Sequence, residues 1–209
     1  MIDQQKNVPL EHYKAKYREI DPAEAARRVC LAFDPGLGRF ELSIFGHTVF
    51  AKWPEYKLVA ADGESCPKTL VGFCAEIVAA RYIIEGMHMS PRGEFKAYRE
   101  LPWGEVYDAN FQGRCIKRLA YSFGNRLDKF EKAAEALGGK RLDYGDASFD
   151  LPFLGGIACR LILWGPDEEF PPSAQFLFSD NTPFAFNAED LAAVGDVVIG
   201  TLKEVADTL

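Results

Sequence analysis

The sequence predicts an α+β fold, an antiparallel sheet packed against helices in a single domain, from three observations. Apolar residues recur every three to four positions in several separated stretches, the mark of amphipathic helices. Over residues 39–61 the period drops to two, and the last third of the chain is rich in short apolar runs punctuated by glycine and proline, both signs of strands. The connections between the alternating runs are short, which favours hairpins over crossovers and hence antiparallel pairing. At 209 residues the chain is near the upper end of what one core organises, roughly 100 to 200 residues. Its 48% apolar content supplies that core without metal or disulfide.

In chain order, residues 1–8 read as a flexible N-terminal tail and 9–209 as a single α+β domain. Leu10, Tyr13, Tyr17 and Ile20 define a first amphipathic helix. Asp21-Pro22 offers an N-cap followed by proline at the first helical position, so a second helix should run to about Leu31 and stop at Asp34-Pro35-Gly36-Leu37-Gly38. Phe40, Leu42 and Ile44 alternate with Glu41 and Ser43, and Gly46-His47 separates them from Val49-Phe50-Ala51, which predicts a meander of two or three strands. Pro67 opens the longest helix, residues 68–85, whose apolar positions cover more than a narrow stripe and so place it centrally. After Gly86 come a polar loop, Ser90-Pro91-Arg92-Gly93, and an extended segment over residues 94–104 that ends in a turn. Tyr107, Phe111, Cys115 and Leu119, then Leu127, Phe130, Ala134 and Leu137, give two helices joined near Gly124, the second ended by Gly138-Gly139. Strands follow over residues 147–153, 157–164 and 174–178. Asn187-Ala188-Glu189-Asp190 caps a closing helix carrying Leu191, Val194, Val198, Leu202 and Val205. The meander and the last strands are expected to form one sheet, covered on one face by the helix from Pro67.

Charge and cysteine usage exclude several classes. The net charge of −7 repels phosphate backbones, and the densest basic cluster, Arg114, Lys117 and Arg118, reads as one solvated helix face, so no nucleic-acid partner is expected. Cys30, Cys66, Cys74, Cys115 and Cys159 are odd in number, without a CxxC pair, and resemble reduced core residues. The N-terminus lacks the apolar core of a signal peptide, and no stretch approaches the roughly 18 apolar residues of a membrane span. A cytoplasmic location without membrane contact is expected.

Signatures of chemistry are sparse. There is no Gly-x-Ser-x-Gly elbow, and Gly36-x-Gly38 is too short for a phosphate loop. His12, His47 and His88 stand in unlike contexts, and would form a metal site only if the fold carried His47 or His88 to a pair of carboxylates. No metal site and no particular cofactor is read. Two segments remain. Asp167, Glu168 and Glu169 lie between Gly165-Pro166 and Pro171-Pro172, a restricted loop able to present carboxylates in fixed geometry. The bland alternative is a solvated hairpin loop with Trp164 and Phe170 plugged into the core. Arg99 and Glu100 sit among Phe95, Tyr98 and Trp103, where an arginine can clamp a ligand's carboxylate or phosphate, or else tie internally to Glu168 or Glu169.

The run Leu161-Ile162-Leu163-Trp164-Gly165-Pro166-Asp167-Glu168-Glu169-Phe170-Pro171-Pro172-Ser173-Ala174, with Phe176-Leu177-Phe178, Glu189-Asp190-Leu191, Tyr98-Arg99-Glu100-Leu101 and Leu137-Gly138-Gly139, resembles the uncharacterised bacterial and archaeal family called domain of unknown function 3786. The similarity runs from about Glu11 to the end and implies no established activity. Some relatives add an N-terminal cluster of four cysteines of the kind that binds an iron-sulfur centre in corrinoid proteins of anaerobes; here no cysteine precedes Cys30. The first functional expectation is therefore a small-molecule or cofactor-binding protein in anaerobic metabolism, with Tyr98, Arg99, Glu100, Trp103, Trp164, Asp167, Glu168 and Glu169 around the ligand. The alternatives are an enzyme using the Asp167/Glu168/Glu169 loop for acid/base or metal chemistry, and an accessory subunit of an iron-sulfur or corrinoid protein. The partners expected are a small-molecule ligand or a protein.

Overall fold

The computed structural model describes residues 2–61 and 66–209, with side chains from Leu10 onward, and its architecture is α+β. The tail expected over residues 1–8 lies outside the residues whose side chains are described. Helix α1 (Ile2–Glu19) buries Leu10 and Tyr17, whose hydroxyl donates to the Ala51 carbonyl at 3.4 Å. In α2 (Pro22–Val29) the Asp21 carboxylate accepts from the amides of Ala23 and Glu24, as its sequence requires. This helix ends two residues earlier than expected, because Cys30 adopts a left-handed conformation (φ 55).

The first sheet contains β1 (Ala32–Asp34), β2 (Arg39–Ile44), β3 (His47–Lys52) and β4 (Lys57–Ala60), all antiparallel in that order. Phe40, Leu42, Ile44, Val49, Ala51 and Leu58 are buried, so the twofold period selects the inner face. Strand β1 was not legible, since three residues are too short to show a period.

The expected helix over residues 68–85 is broken. Residues Lys68–Val71 form a 3-10 turn, Gly72 is extended (ψ 174), and α3 runs Phe73–Glu85. Glu204 explains the break, because its carboxylate takes the Lys68 and Thr69 amides at 2.7 and 2.9 Å and the Thr69 hydroxyl at 2.6 Å. Central placement holds: α3 packs on α1, α2 and the C-terminal helix, and buries Ala75, Val78, Ala79, Ala80, Tyr82 and Ile83.

Residues 94–104 contain β5 (Phe95–Ala97) and a 3-10 turn, Tyr98–Glu100. Then follow α4 (Gly104–Phe111), a π-helical turn (Gln112–Ile116), α5 (Lys117–Phe123) and α6 (Leu127–Ala136). The second sheet adds β6 (Lys140–Arg141), β7 (Ala147–Pro152), β8 (Ala158–Trp164) and β9 (Ser173–Ser179), and the chain closes with α7 (Ala188–Thr208). Its antiparallel order is β5-β9-β8-β7-β6.

Two expectations are corrected. The meander and the later strands form two sheets, which meet at a corner where the Phe45 amide donates to the Phe153 carbonyl at 3.2 Å and the two rings lie 5.5 Å apart. The ladder cannot continue there, since Phe45 (φ 51) and Gly46 (φ 78) turn β2 into β3 and Pro152, which has no N–H, ends β7. Arg114 and Arg118 are likewise not a merely solvated face. Both pair with Asp196 of α7, Arg114 through Nε at 2.9 Å and Arg118 through Nη1 at 2.7 Å, clamping the π turn and the start of α5 to that helix.

Candidate functional site

An open groove of about 860 Å³ lies where β5, the following 3-10 turn and the start of α4 face residues 180–184. Hydrogen bonds hold its walls together. The Asp180 amide donates to the Glu94 carbonyl at 3.0 Å, the Asp180 carboxylate accepts from the Arg92 amide at 3.0 and 3.2 Å, and the buried Asn181 amide donates to the carbonyls of Met89 and Gly156 at 2.7 and 3.1 Å. The segment containing Arg92, Glu94 and Lys96 is thus fixed to the end of β9.

Of the residues singled out in the sequence, Arg99, Glu100 and Trp103 line this groove. Arg99 is exposed and, among the described residues, makes no ion pair. Glu100 turns back to accept from the Ala97 amide at 2.6 Å. Trp103 is 75% exposed and has φ 65, ψ 2. The Gly104 amide donates to the Leu101 carbonyl at 2.9 Å, so Leu101-Pro102-Trp103-Gly104 is a tight turn with tryptophan where glycine or asparagine is the norm. The turn cannot relax outward: a Cβ on Gly104 would stand 1.9 Å from the Tyr98 carbonyl oxygen.

Tyr98 is structural instead. It is buried, stacks on Phe111 at 4.2 Å, and donates its hydroxyl to the Ala188 carbonyl at 2.8 Å. Burial is the main cause that pushes its phenol up to about 12, so it does not ionise near neutral pH. A smaller hollow of about 200 Å³ lies on the other side of Arg99, between the edge of β9 and the π turn, and Tyr98 and Asp108 line it. One Asp108 carboxylate oxygen is shut off from solvent and, among the described residues, has no hydrogen-bond partner.

The acidic loop is elsewhere. Asp167, Glu168 and Glu169 are exposed and line neither hollow. Asp167 is engaged in the turn itself, accepting from the Glu169 and Phe170 amides at 2.8 and 2.7 Å. Phe170 is 66% exposed, not a core plug, while Trp164 ends β8 half-buried beside Gly145. Among the described residues the expected tie from Arg99 to Glu168 or Glu169 is not formed, and the loop lines neither of the two hollows that Arg99 borders. His88 is also apart from the loop, with its Nδ1 3.0 Å from the Gly155 carbonyl. Among the described residues no group of three or more His, Cys, Asp or Glu is placed to hold a metal ion. No described helix is long and apolar enough to cross a membrane.

Groove residues that the sequence reading passed over are Met89, Arg92, Lys96, Asp180, Asn181 and Phe184. Arg92 and Lys96 flank the segment already noted. The far wall becomes visible only once β5 pairs with β9, placing Phe95 opposite Ser179 and bringing residues 180–184 alongside.

The fold and this groove define an α+β protein in which a short edge strand, a 3-10 turn and a strained aromatic turn open onto solvent. The model of the family described as a domain of unknown function (DUF3786) matches residues 21–201, and the chain belongs to that family. No curated protein and no solved structure matches it.

Proposed function

We propose that this is a binding protein whose groove between β5, α4 and residues 180–184 receives a small molecule or cofactor. The observation that carries the reading is Trp103, a large aromatic side chain 75% exposed on the wall of an 860 Å³ groove and held in a left-handed turn. A non-glycine residue at positive φ costs of order 1–3 kcal/mol, and such strain clusters at ligand sites. Small-molecule pockets span roughly 300–1,000 Å³, so the groove is of the right size. Arg99, which lines the same groove, supplies the polar, orienting group that such sites use.

Anaerobic purification followed by absorbance spectroscopy and native mass spectrometry tests the reading. The expected result is a bound species whose occupancy drops in a Phe184→Glu variant, since a carboxylate there disturbs the apolar wall. A protein of bare chain mass, inert to added corrinoids, tetrapyrroles and other cofactors, would end it.

A further inference from the structure

We propose that the open edge of β9 is a docking site for an extended, lysine- or arginine-bearing segment of another protein, which pairs with Ser173–Phe176 as an added strand. The site is separate from the groove, and Trp103 has no part in it.

The first argument is the sheet itself. Strand β5 pairs only with Leu177–Ser179, so among the described residues Ser173–Phe176 has no strand on that side. The ladder fixes which backbone groups are left over. The Asp180 amide donates to the Glu94 carbonyl at 3.0 Å, and antiparallel pairs alternate, so the even-numbered residues of β9 turn their N–H and C=O toward the β5 side. Phe178 meets Lys96 there, but Ala174 and Phe176 meet no strand, because after Ala97 the chain leaves the sheet in the 3-10 turn Tyr98–Glu100. Among the described residues neither of the two finds a hydrogen-bond partner outside the sheet. Unpaired groups along an edge are what an added strand satisfies. Edges are commonly guarded by charge or proline, and Ser-Ala-Gln-Phe has neither.

The second argument concerns the hollow of about 200 Å³ beside this stretch, which has Ala174 and Phe176 on one side and Asp108, Gln112 and Ile116 on the other. Residues opposite each other in an antiparallel ladder share a face. Phe176 faces the helices, its ring 5.8 Å from that of Phe111, and Ala174 shares its face. A residue docked opposite Ala174 therefore sends its side chain into the hollow. There the Asp108 oxygen without a partner lacks a donor, which an ammonium or guanidinium supplies together with the matching charge. Arg99 also borders the hollow and offsets Asp108, so the preferred sign is decided outside it. The chain enters β9 through Asp167-Glu168-Glu169, all three exposed, and residues 161–202 contain no lysine or arginine. A segment lying along the edge leaves the sheet at the end where this loop stands, which favours basic side chains over acidic ones.

Isothermal titration calorimetry on the full chain tests this with three end-blocked peptides: alternating lysine and valine, the same peptide with its lysine backbone nitrogens methylated, and alternating glutamate and valine. Methylation keeps the charge and removes the amides that would pair with β9. The first peptide is expected to bind with a Kd below about 1 mM, and the other two at least roughly tenfold more weakly. Ala174→Pro removes one open amide without touching the bonds to β8, and Asp108→Asn removes the charge in the hollow; each should weaken the first peptide roughly tenfold. Unchanged thermal midpoints would show that both variants fold. Were Ala174→Pro to unfold, the methylated peptide makes the same comparison on the unaltered chain. The proposal is overturned if the lysine peptide does not bind, if the methylated form binds equally well, which would mean general attraction to an acidic protein, or if the glutamate peptide matches it. A concentration-dependent dimer in sedimentation that Ala174→Pro abolishes would give the edge to a second copy of this chain and overturn it as well.

Discussion

At Trp103 the chain accepts a local cost that a different residue would remove. The position has φ 65 in a turn closed by Gly104, and its side chain is mostly in water, so the indole returns little packing energy. Trp103→Gly is therefore expected to raise stability by up to about 1 kcal/mol, read as a higher urea midpoint, while abolishing ligand binding at the groove. Asp108 is a second anomaly, with a carboxylate oxygen that neither solvent nor a protein donor reaches. Leaving such a group unpaired costs about 1–3 kcal/mol, so Asp108→Ala should be neutral or mildly stabilising in the same assay, against the usual trend for half-buried polar residues. Pro102-Trp103-Gly104 was visible in the sequence as a turn, but the strain was not, because proline followed by glycine-like geometry gives no hint of which residue takes the left-handed place.

Helix α7 gathers several ties, and they titrate in opposite directions. Asn187 caps it reciprocally with Asp190, the Asn187 side chain taking the Asp190 amide at 3.0 Å and Asp190 taking the Asn187 amide at 3.2 Å. Asp190 also receives Arg81 at 3.0 Å, with both side chains largely buried. Asn187→Ala is expected to cost about 1 kcal/mol. Asp190→Ala should cost about 1.5–3 kcal/mol, because Arg81 loses its buried charge-assisted bonds while keeping Glu85 at 2.8 Å. Burial raises the Asp190 carboxyl, outweighing Arg81, so its contribution is largest in acid and falls as the pH rises through its folded value. Glu204 behaves in the reverse sense. Partial burial pushes its carboxyl up, but the Thr69 hydroxyl and the amides of Thr69 and Lys68 together lower it. Its contribution is present above the ordinary glutamate value, about 4.3, and is lost as the pH falls through the folded value. The difference in urea midpoint between wild type and Glu204→Gln should therefore be largest near pH 7 and vanish in strong acid, a comparison in which Asp190 cancels. The capping sequence made α7 legible in advance. The break before α3 was not, since Glu204 lies more than 130 positions from Thr69 and only the fold brings them together.

On the scale of the molecule, a single buried cluster runs through both sheets and the helices between them, including Phe40 and Leu42 on one side and Phe149 and Leu161 on the other. One cooperative unfolding transition is expected, with coincident curves from circular dichroism and tryptophan fluorescence. Phe153→Ala removes a buried ring at the corner where the sheets meet and should cost about 3–5 kcal/mol without splitting the transition. The α+β class followed from local periodicity, and the three long strands β7, β8 and β9 lie within a residue of their expected bounds. Partition into two sheets did not follow, for nothing in an alternating pattern says which edge a strand will meet. The candidate site divided the same way. Arg99, Glu100 and Trp103 stood out by composition and do reach one groove, whereas the acidic loop stood out equally and lies in solvent, because charge density reveals a segment's chemistry but not its direction.

One wall of the groove, from Arg92 through Val106, is a continuous stretch of chain attached to the body by the edge strand β5, by Asp180 and by the buried Tyr98. On the binding reading proposed above, the residues that would set ligand preference on that side fall within fifteen consecutive positions. Exchanging only its exposed positions, with Tyr98, Leu101 and Gly104 kept, is expected to alter any ligand preference while leaving the melting temperature nearly unchanged.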